Sequence, residues 1–174
     1  IGNIGMHGGY ETGKITAECD LMIVCGARFS DRVAGDRERF GEQAKIVQLE
    51  IDEKEINKNV KVDEYILGDI KNILIALTVG LEQQSHSEWL SQIEDWKDSL
   101  STPKPADDIY PQPREILEAV NEIKADDDII ATDVGQHQMW VAQYCRFESK
   151  KTLLTSGGMG TMGFGMGAAI GAQV

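Results

Sequence analysis

The chain has 174 residues, about 41% of them hydrophobic and 26% charged, which is ordinary globular usage and excludes a disordered or low-complexity chain. Seventeen basic against 29 acidic residues leave a net charge of −12, which excludes nucleic acid and anionic membrane surfaces as partners. Any anionic ligand must be held locally, by backbone amides and a few basic side chains.

Three widely spaced cysteines, Cys19, Cys25 and Cys145, form no C-x-x-C pair and no Cys/His cluster. They read as reduced, mostly buried thiols in a reducing compartment. No apolar run approaches the roughly 20 residues that span a bilayer. No signal peptide is legible. The sequence opens on Ile1 and stops in an apolar Gly/Ala-rich stretch, so both ends read as cuts in a longer protein.

In chain order, "CDLMIVCGARF" predicts a buried strand over 21–24 that delivers a loop at Gly26. "AKIVQLEID" repeats the pattern and ends in Glu50 and Asp52; "EYILGD" does so again, ending at Gly68-Asp69. In "IKNILIALTVGL", Ile70, Ile73, Leu74 and Leu77 recur at helical spacing. "SEWLSQIEDWKDSL" places Trp89, Ile93, Trp96 and Leu100 on one face of a docked helix. All four prolines, Pro103, Pro105, Pro111 and Pro113, fall in "STPKPADDIYPQP", which reads as a linker.

Beyond it, "REILEAVNEI" predicts a helix with Ile116, Leu117, Val120 and Ile123 inward. A strand over 129–132 leads to the loop Asp133-Val134-Gly135, with a helix starting near His137. "KTLLTSGG" is another strand and loop, and "GFGMGAAIGAQ" a small-residue helix. Strands alternating with helices predict an α/β fold: parallel sheets flanked by helices, two partial doubly wound units joined by a Pro-containing linker. The units run over 1–82 and 113–174, with a helix and linker over 83–112. In such sheets ligands bind beyond the carboxyl ends of the strands.

Gly158, Gly160 and Gly163 read G-x-G-x-x-G after a strand and before a helix, the spacing of a dinucleotide loop. Such a loop ordinarily opens its domain, and here it follows a complete strand-loop-helix unit. The same glycines also suit close packing of a helix on a sheet. "TDVGQHQMW" supplies a second strand-end loop, so two helix starts are able to aim unpaired N–H groups at one anion. Gln136 and His137 add side-chain donors, although His137 also reads as a helix-start or packing residue. Met162, between Gly160 and Gly163, is a bulky apolar group lifted on bare backbone; core filling is its plainer reading.

"GARFSDRV", "EINKNV", "TDVGQHQMW" and "TSGGMGTMGFG…AAIGA" resemble the catalytic large subunits of the acetolactate synthase family, thiamine-diphosphate enzymes that also hold FAD. The resemblance covers essentially the whole chain and matches the back of the family's central domain and the front of its C-terminal domain. It implies that the glycines serve thiamine diphosphate rather than a nicotinamide. Val134, Gly135, Gln136 and His137 would approach the diphosphate. Gly160 and Met162 would meet the aminopyrimidine ring, with Met162 as the prop that bends the cofactor. The implied FAD contacts are Met6, His7, Gly8, Gly26, Ala27, Arg28, Arg32, Val33, Glu50, Ile51, Gly68 and Asp69.

Ser30 stands where the family often has Asp, and Met166-Gly167 where Leu-Pro is usual, a change that removes a preferred first-turn proline. The family's catalytic glutamate belongs to a first domain that this sequence does not match. Its Gly-Asp-Gly…Asn magnesium site would follow Val174, so no catalytic or metal residue is assigned here, and the chain alone is expected to be inert. The resemblance further implies 2-oxo acid substrates, a homodimer or larger assembly with the active site between subunits, and a regulatory small subunit. It implies a bacterial cytoplasmic location, or a plastid in a eukaryote. The alternatives are another FAD-holding carboligase, such as glyoxylate carboligase, and a non-catalytic nucleotide-binding module.

Overall fold

The computed structural model describes residues 1–99 and 109–174 and divides the chain into two units, Ile1–Thr102 and Pro103–Val174. The linker prolines Pro103 and Pro105, and Leu100 of the amphipathic helix, lie outside the described residues.

The first unit contains α1 (Tyr10–Glu18), β1 (Leu21–Cys25), α2 (Asp31–Ala34), β2 (Lys45–Glu50), β3 (Glu64–Leu67), α3 (Ile70–Thr78) and α4 (Ser87–Ser99). Its three strands are all parallel in the order β1-β2-β3. Leu21 pairs with Lys45 and Cys25 with Leu49 on one side of β2; Val47 pairs with Glu64 and Glu50 with Leu67 on the other. With hydrogen-bonded neighbours on both sides, β2 is the buried strand, and Gln48 and Leu49 are fully buried.

One face of the sheet packs on Phe29, Ala34, Ile46 and Val60, with Met22, Val24, Phe40, Ala44 and Val62 around them. Phe29 takes the left-handed conformation at φ 48°. For an aromatic residue that conformation costs about 1–3 kcal/mol. Burial of its ring, edge-on to Phe40 at 5.7 Å, opposes that cost. The turn it makes redirects the chain from the end of β1 into α2.

The sequence places the helix over 87–100 in the helix-and-linker segment; in the structure α4 (Ser87–Ser99) lies within the first unit and packs on α1. Ile93 is buried, Trp89 and Trp96 meet edge to face at 5.6 Å, and Lys14 of α1 stands 5.7 Å over the Trp96 ring. Neither α1 nor the single turn α2 is legible from periodicity. In α1, Gly13 and two threonines dilute the pattern. The Thr12 hydroxyl, itself buried, donates to the Gly9 carbonyl at 2.8 Å and fixes the helix start.

The second unit contains α5 (Pro113–Ile123), β4 (Ile130–Ala131), α6 (Gln136–Tyr144), β5 (Leu153–Leu154) and α7 (Phe164–Gln173). β4 and β5 pair in parallel, Ile130 with Leu153 and Ala131 with Leu154. Pro113 at the first position of α5 suits its fixed φ, and the Gln112 amide donates to the Glu115 carboxylate at 3.1 Å. Asn121 ties α5 to the end of α6, donating to the Tyr144 carbonyl at 2.8 Å and accepting from the Arg146 amide at 2.9 Å.

Three burial expectations are corrected. β1 is not a buried strand: it is an edge, and Leu21 and Ile23 remain 51% and 56% exposed. The cysteines are free but not mostly buried: Cys25, on that edge, is exposed, while Cys19 and Cys145 are half-buried and burial pushes both thiols up. In α5, Leu117 and Val120 are half-buried, but Ile116 and Ile123 are exposed, because α6, the element α5 packs on, covers only one side of the helix.

The unequal burial of β1 and β2 sets an expectation for stability. Leu49→Ala should cost about 2–5 kcal/mol by urea unfolding, because it empties a fully buried site. Leu21→Ala should cost about 1 kcal/mol or less. Equal losses would contradict the placement of β1 at the edge.

Candidate functional site

In the second unit, the loops after β4 and β5 meet on one carboxylate. Asp133 lies two residues past β4, after Thr132. Its Oδ1 accepts from the Val134 amide at 2.8 Å and the Gly163 amide at 2.9 Å, and its Oδ2 accepts from the Gly165 amide at 3.0 Å. The three backbone N–H groups, led by Val134, hold this carboxyl below the usual carboxylate range, with His137 adding a smaller favourable charge.

Gly165 permits the approach: a Cβ there would come within 2.7 Å of the Asp133 nitrogen. The positive end of α7 is therefore occupied by the chain's own anion. In a dinucleotide fold that helix end takes the pyrophosphate. Here the G-x-G-x-x-G match leads to a helix start that already carries a carboxylate on its Gly163 and Gly165 amides.

The first turn of α6 is the other helix start: Gln138 already donates to the Gly135 carbonyl at 3.1 Å, which leaves the Gln136 and His137 N–H groups without an intrahelical acceptor. Gly135 caps it at φ 151°, in a region that favours glycine, and Gln136 and His137 head the helix with exposed side chains. The His137 ring folds back toward Gly135, 3.3 Å from where a Cβ would stand. Val134, a predicted diphosphate contact, has its amide turned onto Asp133, so its N–H is engaged. Gly135, Gln136 and His137 remain grouped at the helix start.

A buried polar network joins the two strand ends. The Thr132 hydroxyl donates to Thr155 Oγ1 at 2.8 Å, and the Gln138 amide donates to the same oxygen at 2.8 Å. Ser156 pins the glycine loop: its carbonyl accepts from Gly160 at 2.8 Å and its hydroxyl oxygen from Thr161 at 3.0 Å. Gly160 and Gly163 take left-handed φ values of 64° and 86°. Cβ atoms built at Gly158, Gly160 and Gly163 would meet nothing within 4 Å. Met162, between the last two, is 80% exposed, which sets core filling aside. Asp133, Thr132, Gln138, Thr155 and Ser156 were not singled out from sequence. An acidic residue between a strand and a Gly-headed helix was the available signal for Asp133.

In the first unit, the predicted contacts gather at the carboxyl ends of β1, β2 and β3. Met6, His7 and Gly8 lie on a short 3-10 turn and its cap, Gly5–His7 and Gly8, packed on α2; a Cβ at Gly5 would stand 2.4 Å from the Arg32 carbonyl. The Arg32 guanidinium reaches Met6 Sδ at 3.9 Å, so these two are brought together. Val33, one residue on, is half-buried.

The loop Gly26-Ala27-Arg28 is held on three counts. Gly26 donates to the Leu49 carbonyl at 2.9 Å, the buried Gln48 amide reaches the Ala27 carbonyl at 3.4 Å, and Asn59 donates to the Arg28 carbonyl at 2.8 Å. The Gln48 Oε1 is buried with no hydrogen-bond partner among the described residues. Glu50 Oε1 accepts from the Ile51 and Asp52 amides at 2.8 and 3.3 Å, so it shapes its own loop. Gly68 donates to the Glu50 carbonyl at 2.8 Å, and Asp69 caps α3 through the Asn72 amide at 3.1 Å. Each of these carboxylates keeps its other oxygen outside those bonds. Among the described residues, no three His, Cys, Asp or Glu side chains are grouped to hold a metal ion, and no helix is long and apolar enough to cross a membrane.

Two family models match the chain: the thiamine pyrophosphate enzyme central domain over residues 1–77, and the thiamine pyrophosphate enzyme C-terminal TPP binding domain over residues 133–174. Over its whole length the chain is 46% identical to the acetolactate synthase large subunit of Parasynechococcus marenigrum, 28% of which it covers. It is 41% identical to that of Lactococcus lactis, covering 30% of it, and 41% identical to the isozyme 1 large subunit of Escherichia coli, covering 31%. The chain thus spans about three-tenths of the length of these relatives.

The lowered Asp133 carboxyl gives a direction with pH. A carboxylate depressed in the folded state stabilises above its unfolded value, and that contribution is lost as pH falls through the folded one. The Gly163 and Gly165 amide shifts, followed by NMR during acidification, should therefore change below the ordinary carboxylate range. A transition within or above that range would contradict the three-amide geometry.

Proposed function

Because the chain belongs to the thiamine pyrophosphate enzymes, we propose that it is the cofactor-facing part of an acetolactate synthase large subunit. The reaction condenses pyruvate with a second 2-oxo acid, pyruvate or 2-oxobutanoate, with loss of CO2. The observation that carries this reading is whole-chain similarity to acetolactate synthase large subunits at 41–46% identity, spanning both strand-end sites.

The residues of the second unit fit thiamine diphosphate. The α6 start offers Gly135, Gln136 and His137 to the diphosphate, with backbone amides as the chief donors. Gly160 leaves open space above the loop, and the exposed Met162 presents an apolar surface to the aminopyrimidine ring. When bound, the cofactor supplies the electron sink for decarboxylation and carbon–carbon bond formation. The chain's own part is to bind the diphosphate, orient the ring and keep water from the apolar side. Magnesium has no ligand cluster among the described residues. The compensation this chain offers to the diphosphate is therefore the α6 amides and His137.

The first unit supplies part of an FAD site. Support comes from Met6 against Arg32, from the tethered Gly26-Ala27-Arg28 loop, and from Glu50 and Gly68-Asp69 at the neighbouring strand ends. Arg28 and Arg32 suit flavin phosphates or carbonyls, and the acidic strand ends suit ribose hydroxyls. Assembly with a second subunit and a regulatory small subunit belongs to the same proposal. The exposed Met159, Met166 and Ile170 support a covered surface there.

Two substitutions in the full-length chain test these assignments. Arg32→Ala should weaken FAD binding by about 1.5–3 kcal/mol, the loss of a charge-assisted hydrogen bond. An unchanged FAD affinity in a flavin-fluorescence titration would remove Arg32 from the site. Met162→Ala should lower acetolactate formation more than thiamine-diphosphate affinity, because a misplaced reacting geometry costs rate. Turnover at the wild-type level would remove Met162 from it.

A further inference from the structure

We propose that Asp133 is a positioning residue: its carboxylate fixes the glycine loop that carries Met162 and closes the α7 start to phosphate, leaving the α6 start as the diphosphate seat. The proposal rests on the thiamine-diphosphate reading of the site. It goes beyond it by giving a role to a residue outside the predicted cofactor contacts.

Met162 sits between two restrained amides. The Thr161 N–H is held by Ser156 Oγ at 3.0 Å, and the Gly163 N–H by Asp133 Oδ1 at 2.9 Å. The backbone on either side is thus anchored to the ends of β5 and β4, while the side chain is 80% exposed. An exposed side chain on an over-restrained backbone is aimed by that backbone and not by neighbours. Asp133 Oδ2 also takes the Gly165 amide, so one carboxylate satisfies two leading N–H groups of α7. Carboxylate acceptors make the stronger class of hydrogen bond, and a helix start favours negative charge. A second anion at that end would face the Asp133 charge at contact distance.

Gly163 and Gly165 are matched to this arrangement. Gly163 needs its left-handed φ of 86°, and Gly165 must lack a Cβ for α7 to come against the Asp133 backbone. α7 begins at Phe164, which makes Gly167 its fourth residue, past the first helical position that favours proline.

The test compares Asp133→Ala and Asp133→Asn with the wild type in the full-length chain, using pyruvate turnover and thiamine-diphosphate affinity as separate readouts. Asp133→Ala should lower kcat on the order of 10- to 100-fold, with the cofactor Kd changed less than about threefold. Asp133→Asn, which keeps one acceptor oxygen, should recover part of that loss. Asp133→Ala combined with Met162→Ala should be no worse than the poorer single variant, since the two act through one geometry. Inorganic phosphate should shift the Gly163 and Gly165 amide resonances in Asp133→Ala and not in the wild type. Wild-type turnover in Asp133→Ala, a Kd loss equal to the kcat loss, or additive effects in the double variant would each overturn the proposal. If the wild type binds no thiamine diphosphate, the cofactor reading fails. Hydrogen exchange at Gly163 and Gly165, slow in the wild type and fast in Asp133→Ala or unchanged, still decides whether Asp133 holds the loop.

Discussion

Asp133 stands where two strand-end loops converge, and its carboxylate takes the amides of Val134, Gly163 and Gly165 within 3.0 Å. Much of the second unit is arranged around that contact. β4 and β5 are only two residues each, too short to hold their loops by ladder hydrogen bonds alone. Thr132, Gln138 and Thr155 therefore link the strand ends through one shared hydroxyl, and Asp133 and Ser156 fix the glycine loop beyond them. The result is an exposed Met162 on a loop with little freedom of its own. It is also a pair of helix starts with opposite character, one already bearing a carboxylate and one with leading amides free of intrahelical acceptors.

The first unit uses a different device for the same purpose. Its sheet is three strands with one buried centre, and the chain beyond each strand is tied back to that centre. Gly26 and Gly68 extend the ladder onto β2 through the Leu49 and Glu50 carbonyls, and the buried Gln48 reaches the Ala27 carbonyl. Phe29, in its left-handed turn, converts the end of β1 into the start of α2, which brings Arg32 to Met6. The predicted flavin contacts are thus gathered by backbone geometry at strand ends, where parallel sheets place their ligands.

Much of this was legible in the sequence. All five strands and the helices α3 to α7 follow from apolar runs, glycine punctuation and helical spacing. The parallel arrangement follows from their alternation. Burial was less legible, because periodicity reports which face is apolar and not whether another element covers it. Leu21, Ile23, Ile116 and Ile123 carry the core pattern and are exposed. α1 was not legible because Thr12 and Thr16 act through hydroxyl bonds to backbone rather than through apolar spacing. At the site, residues whose type has a direct chemical use, such as His137, Met162 and Arg32, stood out. Asp133 did not, since two of its three partners, Gly163 and Gly165, lie 30 and 32 residues away along the chain. A contact between two loops leaves no local spacing to read.

The distinction between the two helix starts is the claim most open to direct test. The decisive measurement is a crystal structure of the full-length chain with thiamine diphosphate bound. The diphosphate oxygens should lie within hydrogen-bond distance of the first-turn amides of α6, at Gln136 and His137, with Asp133 still on Gly163 and Gly165. Diphosphate oxygens on the Gly163 and Gly165 amides, with the Asp133 carboxylate displaced, would contradict the account.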